Sequence, residues 1–194
     1  MEKRIIIAGS GGQGTLFLGK LITYAAMHED KEVTWFPSYG AEMRGGTASC
    51  TVIVSDEMIG SPVVKNADLL IVLNEASYNK FAGRLVRGGT IIYDSSLIDS
   101  PKFIHGATLI PIPASEIAAS LKNKAAANMA LIGSFAALSH IADKDSLLSA
   151  LTEITPSRRK NSLEINKKIF MKGYDFAKDS QGSDRRHKAN SPTG

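Results

Sequence analysis

Cysteine is almost absent from this chain. Its 194 residues include a single cysteine, Cys50, so the sequence can form neither an intrachain disulfide nor a Cys-x-x-Cys pair. Iron–sulfur clusters usually need four thiolates, and the four histidines do not stand at metal-ligand spacing from one another. We therefore expect no cluster and no metal site in this chain by itself. Cys50 alternates with small residues in a strand-like segment, which favours a buried, inert thiol over a nucleophile.

Long apolar runs are missing as well. No stretch approaches the roughly 18 apolar residues that are needed to span a bilayer, and the first residues lead directly into a strand-like segment. The expected location is the cytoplasm, without a membrane. Much of the basic excess behind the formal net charge of +4 lies late in the chain. No aromatic residues interleave with these basic residues, so a solvated surface is favoured over a nucleic-acid site.

The apolar runs that are present are short and alternate with helical patterns. Ile5–Ala8 is typical of a strand that is buried on both faces of a parallel sheet. Further strands are predicted over residues 33–36, 47–54, 68–73, 90–94 and 107–112, and helices from Thr15 and over residues 75–86, 115–141, 146–154 and 161–177. This order predicts a three-layer, Rossmann-like α/β domain with a largely parallel sheet over residues 1–177. Residues 178–194 are polar and lack apolar periodicity, which predicts a disordered tail.

Three of the predicted boundaries depend on single residues. Pro37 is expected to end the second strand, because proline cannot donate to a central strand ladder. Gly88 and Gly89 are expected to end the helix over residues 75–86 in the left-handed conformation that glycine adopts most easily. The helical region over residues 115–141 is expected to be interrupted near Asn123.

A glycine-rich turn follows the first strand. Gly9, Gly11 and Gly14 satisfy G-x-G-x-x-G between a strand and a helix, where backbone N–H groups can approach a phosphate. A dinucleotide site also needs an acid at the end of the second strand, and Trp35–Ser38 contains none. A tight turn that simply requires glycine is therefore favoured over a phosphate or coenzyme contact, and dinucleotide binding is the least favoured interpretation.

Residues 38–46 form an unusually long connection between two predicted strands. Loops of this length in compact domains are often functional, and this one contains Tyr39, Glu42, Arg44 and three glycines. Arg44 can bind a carboxylate or a phosphate through its planar fork. The alternative is a surface turn in which Glu42 and Arg44 are solvated.

This loop and the glycine turn together resemble a known family, the gamma subunits of 2-oxoacid:ferredoxin oxidoreductases. The same domain is domain III of single-chain pyruvate:ferredoxin oxidoreductases. Tyr39, Gly40, Glu42, Arg44, Gly45 and Gly46 match Tyr-Gly-x-Glu-x-Arg-Gly-Gly, Gly11–Gly14 matches Gly-Gly-Gln-Gly, and weaker similarities occur at Ile59–Pro62, Asn128–Met129, Asn166 and Gly173. The resemblance extends over about residues 3–177. The segment Trp35–Tyr39 is most similar to the 2-oxoglutarate and branched-chain 2-oxoacid enzymes.

The resemblance implies a reaction for the assembled enzyme. A 2-oxoacid, coenzyme A and oxidised ferredoxin would yield acyl-CoA, CO₂ and reduced ferredoxin. Thiamine diphosphate, Mg²⁺ and iron–sulfur clusters would then lie in partner alpha and beta subunits, with or without a delta subunit, and ferredoxin would bind the complex. The chain by itself would be inactive.

The resemblance also suggests site residues, although it assigns none of them a catalytic role. Ser38, Tyr39, Glu42, Arg44, Gly45 and Gly46 are expected to lie near the active site or at a subunit interface. Gly11, Gly12, Gln13 and Asn128 are candidate coenzyme contacts. For Asn128 a helix cap is favoured over ligand contact, since its side chain can accept from backbone N–H groups. The alternative hypothesis for the whole chain is a stand-alone nucleotide-binding or regulatory module that uses the Gly9–Gly14 turn.

The missing acid gives a first testable prediction. NAD(H) and FAD should bind the purified chain weakly or not at all, because no carboxylate at the end of the second strand can hold the ribose hydroxyls. Isothermal titration calorimetry measures this directly. An affinity for NAD(H) in the micromolar range would contradict the prediction.

Overall fold

The computed structural model of the chain describes residues 1–38, 47–157 and 160–189. The strands are β1 (Glu2–Ser10), β2 (Glu32–Ser38), β3 (Thr47–Ser55), β4 (Ala67–Val72), β5 (Leu85–Asp94) and β6 (Thr108–Ile112). The α-helices are α1 (Thr15–Met27), α2 (Glu75–Phe81), α3 (Ala114–Ser120), α4 (Ala127–Leu138), α5 (Lys144–Ile154) and α6 (Lys160–Ala189), and two 3₁₀ turns cover Ala82–Arg84 and Lys124–Ala126.

The described strands form one mixed sheet in the order β2-β3-β1-β4-β5-β6. The β1–β4, β4–β5 and β5–β6 pairs are parallel, whereas β3 runs antiparallel to both of its neighbours. The prediction of a largely parallel α/β sheet is therefore confirmed. Strand β3 separates β2 from β1, so the end of β2 lies about 10 Å from β1 across two strand spacings. In a dinucleotide-binding fold the strand after the first helix lies next to β1, so this topology also disfavours such a site.

Helices cover the two faces of the sheet unequally. On one face, side chains from α1, α4, α5 and α6 form the larger core with Ile5 and Ile7 of β1. On the other face, α2 and the loop segments before and after it cover a smaller core that includes Ile6 and Ala8. Because β1 is apolar on both faces, its continuous run Ile5–Ala8 is buried, as its composition predicts.

Glycine determines how closely α4 and α6 pack. A Cβ atom added to Gly133 would overlap the carbonyl oxygen of Phe170, and one added to Gly173 would overlap the carbonyl oxygen of Ala130. Ser134 Oγ, which is buried, also donates to the carbonyl oxygen of Gly173 at 3.0 Å. The similarity at Gly173 that the sequence shows therefore has a packing reason: the two backbones touch.

Two predicted boundaries are wrong. Strand β2 continues through Pro37 to Ser38, because β2 is an edge strand of the sheet and a missing N–H is tolerated at an edge. The helix predicted over residues 75–86 ends earlier, as α2 and a 3₁₀ turn to Arg84, and β5 begins at Leu85. Gly88, with φ of 81°, then lies in an irregularity of the β4–β5 pairing rather than at a helix end. The interruption near Asn123 is confirmed by the gap between α3 and α4.

The last helix is longer than the sequence suggests. Residues 178–189 continue α6, where the sequence analysis expects a disordered tail. The expectation of disorder for residues 178–194 stays a prediction. Ala177 is buried, whereas Lys178 and Asp179, which follow it directly, are exposed. The domain boundary at residue 177 stays a prediction.

The α4–α6 contact leads to a stability prediction. Gly133→Ala and Gly173→Ala should each lower the free energy of unfolding by about 1–3 kcal/mol, because the new methyl group overpacks a backbone contact. Urea denaturation measures the change. Gly83→Ala is the matched control, since a Cβ atom there meets nothing within 4 Å, and it should stay within about 0.5 kcal/mol of the wild type or be slightly more stable. Equal effects at all three positions would contradict this packing argument.

An ion pair between β1 and β4 gives a second prediction, about acid stability. Burial raises the pKa of Asp68, but the hydrogen bonds from Arg4 outweigh it and hold that pKa below 3.8. Arg4 N and Nε donate to Asp68 Oδ2 at 2.8 and 3.0 Å, and Nη2 donates to Oδ1 at 3.2 Å. Since the folded pKa is lowered, the stabilisation is present above the unfolded pKa and is lost as pH falls through the folded pKa.

The measurement is the denaturant midpoint between pH 6 and pH 3 for the wild type and Asp68→Asn. The variant should be less stable at pH 6, and the difference should shrink below about pH 4. A difference that is constant across this range would show that the carboxylate charge of Asp68 does not contribute.

Candidate functional site

The candidate site lies at the carboxyl ends of the parallel strands. The connection after β1, α1, packs on one face of the sheet, and the connection after β4, α2, packs on the other. The edge between β1 and β4 is therefore the point where the order of connections reverses, and ligands of open α/β sheets bind in the crevice at such a point. The glycine-rich turn Gly11–Gly14 and the end of β4 both reach this crevice.

A set of side-chain hydrogen bonds holds the turn to the end of β4. Gln13 Oε1 accepts from the backbone N–H of Ser10 and from Asn74 Nδ2, both at 2.7 Å, and Gln13 Nε2 donates to the carbonyl oxygen of Leu73 at 3.2 Å. Asn74 Nδ2 also donates to Ser10 Oγ at 2.9 Å. The turn itself is closed by a backbone hydrogen bond from Gln13 to Ser10. These contacts join the ends of two strands that share no covalent turn.

The N-terminus of α1 has no side-chain cap. Its N-cap residue is Gly14, which adopts the left-handed conformation with φ of 77°, and Gly12 has φ of 93°. The first N–H groups of a helix have no acceptor within the helix, and the described residues supply no side-chain acceptor to them. Thr15 Oγ1 is buried nearby without a hydrogen-bond partner. Free N–H groups and the helix dipole make such an end favourable for an anion.

Asn128 lies against this turn and does not cap its helix. Helix α4 begins at Ala127, and its N-cap residue is Ala126, so the predicted capping role of Asn128 is wrong. Its amide instead packs on Gly14: a Cβ atom at Gly14 would overlap Asn128 Nδ2. The Asn128 side chain is buried, and it forms none of the side-chain hydrogen bonds found in the described residues. The enclosed side-chain atoms without a partner in the described residues are Thr15 Oγ1 and Ser77 Oγ. The Asn128 amide is therefore open to the cleft, where a ligand or water can satisfy it.

Gln13 and Asn128 line one cleft of about 230 Å³. Its other lining residues are Gly12, Leu73, Asp94, Leu97, Ser115, Lys124, Ala125, Ala127 and Leu131. The buried carboxylate of Asp94 accepts three hydrogen bonds, from Ser96 N at 3.0 Å, Ser115 N at 3.2 Å and Ser115 Oγ at 2.6 Å. The exposed Lys124 adds a cation, so the cleft combines a hydrogen-bonded carboxylate, a cation and an open helix N-terminus.

The signature loop starts and ends at the same edge of the sheet. Residues 39–46, with Tyr39, Glu42 and Arg44, lie outside the described residues, so their role stays a prediction. Its two flanking residues are described: Ser38 ends β2, and Thr47 begins β3 and pairs with Ser10 of β1. Lys80 Nζ of α2 also donates to Thr47 Oγ1 at 2.7 Å. The structure thus brings the ends of the loop and the glycine turn to neighbouring strands.

Cys50 has the inert character that the sequence predicts. It is fully buried in β3, and burial raises the pKa of its thiol to about 12 despite hydrogen bonds from Trp35 and Gly19. Over residues 1–38, 47–157 and 160–189, no group of three or more His, Cys, Asp or Glu side chains could hold a metal ion. No helix in the same part of the chain is long and apolar enough to cross a bilayer.

Several residues of the cleft were not found from the sequence. Asp94 had a signal, since an acid that closes a buried parallel strand lies at the edge where ligands bind. The position of Asn74 before a helix predicts an N-cap, but it does not predict the hydrogen bonds of Asn74 to the glycine turn. Ser115 and Lys124 reach the cleft only through tertiary packing, and nothing in their local sequence indicates it.

The comparison with known proteins identifies the family. Residues 4–176 match the family described as pyruvate ferredoxin/flavodoxin oxidoreductase, and the chain belongs to it. The ketoisovalerate oxidoreductase subunit VorA of Methanothermobacter marburgensis is 39% identical over 178 residues, which cover 91% of this chain and 37% of VorA. The 2-oxoglutarate synthase subunit KorC of Methanocaldococcus jannaschii is 34% identical over 182 residues, which cover 92% of this chain and 96% of KorC.

The chain therefore spans little more than a third of VorA but nearly the whole of this KorC. Solved structures agree on the fold. The gamma subunit of a keto/oxoacid ferredoxin oxidoreductase from Geobacter sulfurreducens is 25% identical with a TM-score of 0.78, over 90% of this chain and 98% of that one. The 2-oxoglutarate:ferredoxin oxidoreductase of Magnetococcus marinus, solved with 2-oxoglutarate, coenzyme A and succinyl-CoA, is 27% identical with a TM-score of 0.85, over 92% of this chain and 31% of that one.

Proposed function

We propose that this chain is the gamma subunit of a multi-subunit 2-oxoacid:ferredoxin oxidoreductase, and that its cleft binds a phosphate-bearing part of coenzyme A. The assembled enzyme would convert a 2-oxoacid, coenzyme A and oxidised ferredoxin into acyl-CoA, CO₂ and reduced ferredoxin. Family membership and the names of the relatives support the first part. The substrate would be 2-oxoglutarate or a branched-chain 2-oxoacid, since relatives of both kinds are at least 34% identical to this chain.

One observation carries the second part of the proposal. The glycine turn presents an uncapped helix N-terminus next to Asn128, whose amide opens to the cleft and has no partner in the described residues. An anion with acceptor oxygens satisfies both groups at once, because the N–H groups and the Asn128 amide can all donate to it. A diphosphate or phosphate ester of coenzyme A has this chemistry.

The size of the cleft supports a shared site. A volume of about 230 Å³ is below the roughly 300–1,000 Å³ of pockets that enclose a drug-sized ligand, and coenzyme A is larger still. The chain would therefore hold one part of coenzyme A, and partner subunits would enclose the rest. The Tyr39–Gly46 loop, which starts and ends at the same edge, would face the partner subunits or the coenzyme A path.

The remaining chemistry would come from partners. Thiamine diphosphate and iron–sulfur clusters, held by partner subunits, would supply the decarboxylation and electron-transfer chemistry. The single cysteine of this chain supports that division, since a cluster needs more thiolates than it has. What the chain's own residues would do is bind, orient and desolvate part of coenzyme A.

The test is to reconstitute the complex with Asn128→Ala and measure steady-state kinetics. The KM for coenzyme A should rise about tenfold, because one charge-assisted hydrogen bond worth about 1.5 kcal/mol is lost. The KM for the 2-oxoacid should change much less. Wild-type KM values for coenzyme A in this variant would contradict the proposed cleft.

Asn123→Ala is the matched control for this experiment. Asn123 precedes the same helix, but its amide points to Asn166 of α6 at 3.4 Å and it does not line the cleft. It should leave the KM for coenzyme A unchanged. Failure of the wild-type chain to assemble with thiamine-binding partner subunits would refute the subunit assignment itself.

A further inference from the structure

The hydrogen bonds of Gln13 and Asn74 suggest a role that goes beyond the cleft residues. Gln13 lines the cleft, but its carbonyl oxygen and one amide hydrogen are already used within the protein. These contacts leave the second amide hydrogen of Gln13 free to donate a hydrogen bond. Gln13 is therefore better placed to fix the turn than to make a full set of ligand contacts.

The orientation of both amides follows from backbone donors. Asn74 Oδ1 accepts from the backbone N–H of Ser77 at 2.8 Å, so its Nδ2 atom must face Ser10 and Gln13. Gln13 Oε1 in turn faces two donors, the N–H of Ser10 and Nδ2 of Asn74. No other assignment of these amides satisfies all of the donors.

Gly9 makes room for this arrangement. A Cβ atom at Gly9 would lie 3.0 Å from Gln13 Oε1 and 3.1 Å from Leu73 Cβ. The Gln13 amide thus fits closely over the end of β1, between the turn and β4. Three glycines in a short turn leave many backbone conformations accessible, so a fixed side-chain bridge has a large effect on which one is populated.

We propose that Gln13 and Asn74 are positioning residues that hold the Gly11–Gly14 turn in its anion-binding conformation. Asn74 does not line the cleft, so it acts only through Gln13 and Ser10. This inference rests on the proposed function, since it takes coenzyme A as the ligand of the cleft. When a binding-competent conformation falls from nearly full to about a tenth of the population, apparent affinity falls about tenfold.

Helix α2 contacts both the glycine turn and the start of β3. Asn74 at its start holds the glycine turn, and Lys80 near its end donates to Thr47, where the signature loop rejoins the sheet. Asn74 has two separable tasks here, the cap of α2 and the bridge to Gln13.

The experiment uses Gln13→Ala, Asn74→Ser and the double variant in the reconstituted complex. Serine retains an oxygen that can cap α2 but cannot replace the amide donor to Gln13, so Asn74→Ser should still fold and melt close to the wild type. We expect each variant to raise the KM for coenzyme A about tenfold. The increase should exceed any change in kcat or in the KM for the 2-oxoacid.

The double variant tests whether the two residues act as one unit. Its KM for coenzyme A should match that of Gln13→Ala alone, because both substitutions break the same bridge and such effects are not additive. If the double variant instead raised the KM for coenzyme A by the product of the two single increases, Gln13 and Asn74 would act independently, and the proposal would be overturned. Parallel losses of kcat, assembly and affinity for both substrates would assign Gln13 and Asn74 to the fold alone and would also overturn it.

Asn128→Ala separates this inference from the proposed function. If Asn128→Ala raises the KM for coenzyme A while Gln13→Ala and Asn74→Ser leave it within twofold of the wild type, the positioning role is wrong and the cleft stands. If none of the three variants changes it, the cleft does not bind coenzyme A, and both proposals fail.

Discussion

The position of β1 in the sheet determines the geometry of the whole site. β1 pairs antiparallel with β3 and parallel with β4, and its central residues are buried on both faces. Its register with β3 is continuous, from Glu2 opposite Ser55 to Ser10 opposite Thr47. Ser10 then pairs with Thr47, and Leu73 N–H binds the carbonyl oxygen of Ala8. One strand thus places the glycine turn, the end of the loop and the end of β4 at a single edge.

At this edge the polar groups divide into two kinds. Gln13, Asn74 and Asp94 find their partners within the protein, whereas Asn128 and the first turn of α1 do not. At the start of α1, Thr15 Oγ1 is fully enclosed and has no partner in the described residues, and such a group costs about 1–3 kcal/mol. Such a cost is typical of a site that is preorganised for a ligand. The hydrogen bonds of Gln13 and Asn74 hold the glycine turn beside this group in place.

The sequence predicts the layers of this fold better than its connections. Apolar runs such as Ile5–Ala8 identify buried strands, because a strand that is covered on both faces has no polar alternation. The sequence does not predict that β3 lies between β1 and β2, since strand order depends on tertiary pairing. Pro37 and Gly88 were misjudged for the same reason: their local preferences are real, but an edge strand tolerates the first and an irregular strand pair uses the second.

In the site, too, the local motifs can be predicted from the sequence, whereas the contacts between them cannot. The Gly9–Gly14 motif and Asn128 are visible in the sequence, but their relation is not, since the amide of Asn128 meets Gly14 across 114 residues only after α4 packs beside α1. Asn128 was assigned to a cap because local rules favour that role for asparagine before a helix. The structure places it two positions beyond the N-cap residue, Ala126. Lys124 and Ser115 carry no local signal, because nothing distinguishes them from solvated surface residues before packing.

The domain is found in relatives of different lengths, and its core and its cleft bear on this in different ways. The family match ends at residue 176, next to Ala177, which is buried and is followed by exposed residues 178–180. Such a domain can exist as a separate chain, as the coverage of KorC indicates, or within a longer one, as the coverage of VorA indicates. The cleft is too small to enclose a large ligand, and it opens at the edge where residues 38 and 47 flank the signature loop. The core and the sheet of this domain are therefore compatible with both arrangements.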